Sequence, residues 1–314
     1  MSDKSPKPDT VENVPASTGL AELKKGSYSD GHPLDDVQYL ECKIILKGDR
    51  FTSVDNFHEF AKFVKRAAEE SEVDFSTKGF KDAQPQVREV LFLDTEDFKL
   101  YNSAFILRRR TLYQHGFLMG DPEIVFKFRH PDLQASAAMD VRPKHINDYK
   151  IKFKAEMLPL KNEVGGLRML YSHNVVFSRS QLHDGDSAAM TALSTIFPPL
   201  EALKMCEADK IALVNQTAVS EVLLDLGTLD FGKGITAGAN IAVWRTRGDE
   251  KQLVGEFAYQ IKFQKRDELN ATAMKRNEQF FVSLQLAAQE WVALGMTKTG
   301  AVYRLKGNPP QSHE

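Results

Sequence analysis

The sequence predicts an α+β fold in which an antiparallel sheet closes into a barrel, a tunnel with helices on its outside. Three observations lead there. Nine stretches alternate like strands, only two long stretches carry a helical period, and the strand-like stretches put charge on one face and apolar side chains on the other. Tyr149 to Glu156 is the clearest case. A period of two sends Lys150, Lys152, Lys154 and Glu156 one way and Tyr149, Ile151, Phe153 and Ala155 the other. The same chemistry recurs at Glu41 and Lys43, at Arg108 and Arg110, and at Glu123 with Lys127 and Arg129. It recurs again at Glu221 and Asp225, at Arg245 and Arg247, and at Glu256 with Lys262. A sheet with this many charged faces is expected to curl around a charged interior, with Ile151, Phe153, Phe257, Tyr259 and Ile261 packed outward.

In chain order the expected strands are 38–47, 88–93, 104–111, 123–130, 149–157, 167–178, 219–226, 240–247 and 252–264. Val54, Phe57, Phe60, Ala61 and Val64 predict a helix over 54–70. Phe280, Phe281, Leu284, Ala287, Ala288 and Trp291 predict another over 274–294, and 187–196 suits a short third. Residues 1–36, rich in Ser, Pro, Lys and Asp, read as a disordered tail with no apolar core of a signal peptide. Residues 37–305 are expected to form the barrel domain and 306–314 a second tail. All-β barrels of this length often form one domain.

With 314 residues and 42% hydrophobic content the chain can bury a substantial core, and a formal net charge of −2 means that its cations are concentrated rather than in excess. A surface patch for specific nucleic-acid binding is therefore not expected. No run approaches the roughly eighteen apolar residues of a membrane span. Cys42 and Cys206 show no metal-ligand spacing and read as buried structural thiols of a reducing, cytoplasmic setting. The eight histidines form no zinc-like pair, no Gly-x-Ser-x-Gly elbow is present, and Gly165-Gly166 and Gly232-Lys233-Gly234 read as turns. Nothing in the sequence sets an oligomeric state.

Glu41-x-Lys43, Leu93-Asp94-Thr95-Glu96-Asp97, Leu107-Arg108-Arg109-Arg110, Lys127-x-Arg129 and Gly255-Glu256-Phe257-Ala258 follow one another in an order that resembles the CYTH group of triphosphate tunnel metalloenzymes. The resemblance implies an eight-stranded antiparallel tunnel that binds a linear triphosphate through basic residues, while glutamates hold Mg²⁺ or Mn²⁺ for hydrolysis or transfer. Carried over, Lys43, Arg108, Arg110, Lys127, Arg129, Lys152 and Arg245 would grip phosphate. Glu41, Glu221 and Glu256 would carry the metal, and Glu41 and Glu256 would be catalytic. The family's pattern has carboxylates where this chain has Tyr39 and Ala258.

A triphosphate carries about four negative charges, and charge-assisted hydrogen bonds of about 1.5 to 3 kcal/mol each meet it. The interspersed acids Glu41, Glu123, Glu156, Glu221 and Glu256 would hold the empty barrel together. The expected function is divalent-metal-dependent phosphohydrolysis of tripolyphosphate, a nucleoside triphosphate or polyphosphate. The alternatives are a non-catalytic polyanion-binding module without its metal site, and a barrel for a small acidic metabolite.

Overall fold

A computed structural model describes residues 20–80, 82–182, 190–204 and 209–307. Cys206, residues 187–189 of the expected third helix, residues 1–19 and residues 308–314 lie outside the described residues. The strands are β1 Tyr39–Lys47, β2 Asp74–Ser76, β3 Gln86–Asp94, β4 Phe105–Gln114, β5 Phe117–His130, β6 Lys150–Leu158, β7 Arg168–Ser178, β8 Ala212–Asp230, β9 Thr236–Thr246 and β10 Gln252–Lys262. The helices are α1 Val54–Glu70, α2 Lys99–Asn102, α3 Leu133–Ala138, α4 Met190–Ile196, α5 Ala271–Ala287 and α6 Lys298–Tyr303.

Nine strands close a ring in the order β8-β3-β4-β5-β7-β6-β1-β10-β9, and β9 returns to β8. The short β2 pairs with the far end of β8, outside the ring. Where Gly227 interrupts the β8 register, a Cβ would stand 2.3 Å from the Ser76 carbonyl, so only glycine lets β2 dock. The ring is mixed, whereas the sequence suggested an antiparallel one. An odd number of strands cannot alternate direction all the way round, and the parallel pair falls at β1 and β6, with Glu41 opposite Glu156.

Alternation builds two environments. The outward residues Leu40, Cys42 and Ile44 of β1, with Phe257, Tyr259 and Ile261 of β10 and Phe153 of β6, are buried together with α1 and α5. Phe60 of α1 lies 5.7 Å from Phe257, and Tyr259 lies 5.5 Å from Phe280 of α5. Asn56 accepts from the Ser53 amide at the start of α1, and Asn270 accepts from the Thr272 and Ala273 amides at the start of α5. Ile151 is half-buried beside a second cluster under α4, where Phe126 stacks on Phe197 at 4.0 Å.

Helix α5 stops at Ala287, short of the expected 294, because Trp291 and Ala293 turn to bond the backbone of Lys47 and Ile45 in β1. Residues 20–36, expected as tail, lie against the barrel. Leu20 and Tyr28 are buried, and Asp35 pairs with the buried His173 at 3.1 Å. No described helix is long and apolar enough to cross a membrane.

Candidate functional site

The inward residues form a closed lumen with two ends of opposite character. At one end Ile45, Val90, Phe92, Ile106 and Trp244 pack with Val302 and Tyr303 of α6, an apolar plug inside the ring. Asp94 anchors it. Its buried carboxylate accepts from the amides of Thr95, Leu100 and Tyr101 and from the Tyr303 hydroxyl at 3.0 Å, and burial pushes its pKa up to about 6. The Asp-Thr segment of the sequence is thus a fastening for the plug, not a lumen group.

The rest of the lumen is charged. A cavity of about 220 Å³ is lined by nine cations (Lys43, Arg88, Arg108, Arg110, Lys127, Arg129, Lys152, Lys154 and Lys298) and five carboxylates (Glu41, Glu123, Glu156, Glu221 and Glu256), an excess of four positive charges. Exposure rises from 1% at Glu156 and 8% at Arg129 to 29% at Arg110 and 30% at Glu123, which marks the open end.

Every carboxylate is held by lumen cations. Glu156 meets Lys43 at 3.2 Å, Lys127 at 3.5 Å and Arg129 at 3.4 Å, and the Ser172 hydroxyl donates to it at 2.6 Å. Glu41 meets Lys43 at 2.8 Å and Lys154 at 3.2 Å. Glu123 takes Arg110 at 2.5 Å. Glu221 accepts from the Trp244 indole at 2.8 Å and meets Lys298 at 3.2 Å and Arg88 at 3.5 Å, while Glu256 meets Lys298 at 2.7 Å.

The lumen field follows from these pairs. Burial pushes the Glu156 carboxyl up, but Arg129, Lys43 and Lys127 outweigh it and hold the group well below the usual carboxylate range. At Glu221 burial is likewise outweighed by Lys298, the indole and Arg88, and the pKa falls to about 2. Burial lowers Lys127 well below an ordinary lysine; Glu156 opposes this, while Arg129, Lys43 and Arg108 add to it. Burial and the neighbouring Arg110 lower Arg108 to about 10, so it stays charged at neutral pH. Among the described residues Arg108 and Lys152 have no carboxylate within 4 Å, and Arg108 Nε is buried without a hydrogen-bond partner. These two cations are uncommitted.

A stability profile follows. A carboxyl whose folded pKa lies below its unfolded value contributes stability above the unfolded value and loses it as pH falls. Glu221, moving from 4.5 to about 2, contributes about 3 kcal/mol at neutral pH, most of it lost as the pH falls from about 5 to about 2. Urea midpoints are expected to hold from pH 7 to 5 and fall steeply below 4.5, and the fall is expected to be shallower in Glu221→Gln. An unchanged slope in that variant would remove Glu221 from the account.

The structure brings together Glu41, Lys43, Arg108, Arg110, Lys127, Arg129, Lys152, Glu221 and Glu256 as expected from the sequence. Arg245 does not join them. Trp244 takes the inward position of β9, so alternation turns Arg245 outward, where its guanidinium donates to the Phe51 carbonyl at 3.2 Å. Arg247 pairs with Glu89 at the surface, Lys150 is exposed, and Asp225 does not line the cavity. Sequence reasoning missed Arg88 and Lys298. Arg88 was recoverable, since it shares its strand face with Val90 and Phe92; Lys298 sits in a six-residue helix too short to show a period.

The residues expected to carry Mg²⁺ or Mn²⁺ line the same lumen but do not converge on one point. Among the described residues no group of three or more His, Cys, Asp or Glu side chains is placed to hold a metal ion. Glu221 and Glu256 share Lys298, whereas Glu41 is turned to Lys43 and Lys154. Ala258 lines the lumen, and Tyr39 stands on the same β1 face as Glu41 with the Lys154 ammonium 5.8 Å from its ring. The donor set does not fit a divalent ion.

The closed, mostly antiparallel barrel with a charged interior and flanking helices has the tunnel architecture that the sequence resemblance implied, with nine strands in place of eight. No protein-family model and no curated protein matches the chain. Among solved structures it is similar to a Hippeastrum protein, a candidate adenylyl cyclase described as having a dominant triphosphatase activity. That match has 11% identity and a TM-score of 0.39, and covers 88% of this chain and 100% of the other. It is also similar to the PH1819 protein of Pyrococcus horikoshii, at 12% identity and a TM-score of 0.32, over 82% of this chain and 96% of the other. A candidate adenylate cyclase of Vibrio parahaemolyticus matches at 10% identity and a TM-score of 0.33, over 85% and 98%.

Proposed function

We propose that the tunnel binds a linear triphosphate-type anion: tripolyphosphate, a nucleoside triphosphate or the end of a polyphosphate chain. One observation carries the reading. The residues lining the lumen carry a formal excess of four positive charges, and Arg108 and Lys152 lack a carboxylate partner among the described residues. Cations confined in this way repel each other until an anion enters, and each charge-assisted hydrogen bond then adds about 1.5 to 3 kcal/mol. A few such bonds supply the roughly 8 kcal/mol of micromolar affinity. The open end, with Arg110 and Glu123, is the side from which the anion enters. A free, buried Cys42, its thiol pushed up to about 12 by burial, accords with a reducing, cytoplasmic setting as part of the same proposal.

Titration calorimetry with tripolyphosphate at low salt is expected to give a dissociation constant in the micromolar range. Absence of binding up to millimolar concentration overturns the proposal. Phosphate release under Mg²⁺ or Mn²⁺ is expected to be slow or absent, because positions 39 and 258 carry no carboxylate. Tyr39→Glu together with Ala258→Glu is expected to raise it. Rapid release by the wild type would make metal-dependent phosphohydrolysis the better reading of the same tunnel.

A further inference from the structure

The carboxylates Glu221 and Glu256 project into the lumen from β8 and β10, and an ammonium stands between them. Lys298 Nζ lies 3.2 Å from Glu221 Oε1, 2.7 Å from Glu256 Oε1 and 4.8 Å from the centre of the Trp244 ring. Its position is fixed from both sides of α6. The Gly300 amide donates to the Thr297 hydroxyl at 2.9 Å, and the Asn215 side chain donates to the carbonyls of Val302 at 2.7 Å and Tyr303 at 3.0 Å. With Tyr303 bound to Asp94, the helix that carries Lys298 cannot swing away without opening the apolar plug.

We infer that Lys298 is the resident cation of this acid pair, and that the tunnel takes its polyanion in the metal-free form rather than as a magnesium or manganese chelate. This rests on the polyanion-binding reading. Three physical reasons support it. The ammonium already holds one oxygen of each carboxylate, and a divalent ion at the same oxygens would face a fixed positive charge at contact distance. Mg²⁺ demands near-ideal octahedral oxygen geometry and keeps several waters, which two carboxylates bridged by a lysine do not offer. A chelated polyphosphate also brings two fewer negative charges into a lumen whose four-charge excess suits the free anion. The ammonium faces Glu221, Glu256 and the Trp244 ring, with Arg88 on the far side of Glu221.

Two measurements test this separately. Mn²⁺ alone, titrated into the protein and followed by the resonance of the free ion, is expected to show no saturable binding to the wild type up to millimolar concentration. Lys298→Met, which keeps the stem and removes the charge, is expected to open a site at least tenfold tighter. Lys298→Arg is expected to behave as the wild type, and circular dichroism checks that both variants are folded. Tripolyphosphate calorimetry is then run with a chelator and with excess Mg²⁺. The wild type is expected to bind at least tenfold more tightly with the chelator, and Lys298→Met to lose at least tenfold of that affinity. If wild type and Lys298→Met bind Mn²⁺ alike, or if tripolyphosphate binds only when Mg²⁺ is present, the inference is overturned. Absence of tripolyphosphate binding under both conditions removes the polyanion reading and the metal-free ligand with it, whereas the Mn²⁺ result decides the role of Lys298 alone.

Discussion

Replacing Glu156 by alanine is expected to cost about 3 to 5 kcal/mol of folding stability, the range found when one partner of a buried ion pair is removed. Glu156 is 1% exposed and sits between Lys43, Lys127 and Arg129, so its loss leaves three cations facing one another away from water. A stable domain has only about 5 to 15 kcal/mol in total, which makes this a large fraction. Urea unfolding followed by circular dichroism measures it. Glu123→Ala provides the contrast. Its pair with Arg110 is about a third exposed, and losing it is expected to cost at most about 1 kcal/mol. Tripolyphosphate is expected to return part of the stability of Glu156→Ala, since a bound ligand stabilises the folded state by mass action. A loss below about 1 kcal/mol for Glu156→Ala would mean that water reaches and screens the three cations.

The double change Arg108→Ala with Arg110→Ala is expected to weaken tripolyphosphate binding by about a hundredfold, because two charge-assisted bonds at about 1.5 kcal/mol each are removed. Arg108 is expected to carry more of the effect. Its charge is uncommitted in the empty lumen, while Arg110 already pairs with Glu123. Arg245→Ala, on the outer face, is expected to change affinity by less than about twofold. Equal losses at Arg108 and Arg245 in calorimetry would contradict the assignment of lumen and outer faces.

Much of this was legible because a strand writes its two faces into the sequence at a fixed period. All nine ring strands were anticipated, and α1 spans the residues that its periodicity marked. Arg245 shows where that reading fails. Arg245 and Trp244 are adjacent, so a shift of one residue decides which faces inward, and composition alone favoured the charged one over the indole that binds Glu221. The parallel β1–β6 pair arises from pairing between distant segments. No local pattern records that. Lys298 was hidden for a different reason. Its placement depends on α6 lying inside the ring, which Tyr303, Asp94 and Asn215 enforce across long stretches of chain.

The place of β1 in the ring also constrains how the protein is made. Leu40 pairs with Ala155 on one side and Ile261 on the other, so β1 gains its second neighbour only when β10, more than two hundred residues further on, has been synthesised. Contacts this distant along the chain slow folding, and a nascent chain that already contains β1 to β8 presents unsatisfied strand edges to other molecules. Closure of the lumen, and with it any affinity for an anion, thus waits for β10.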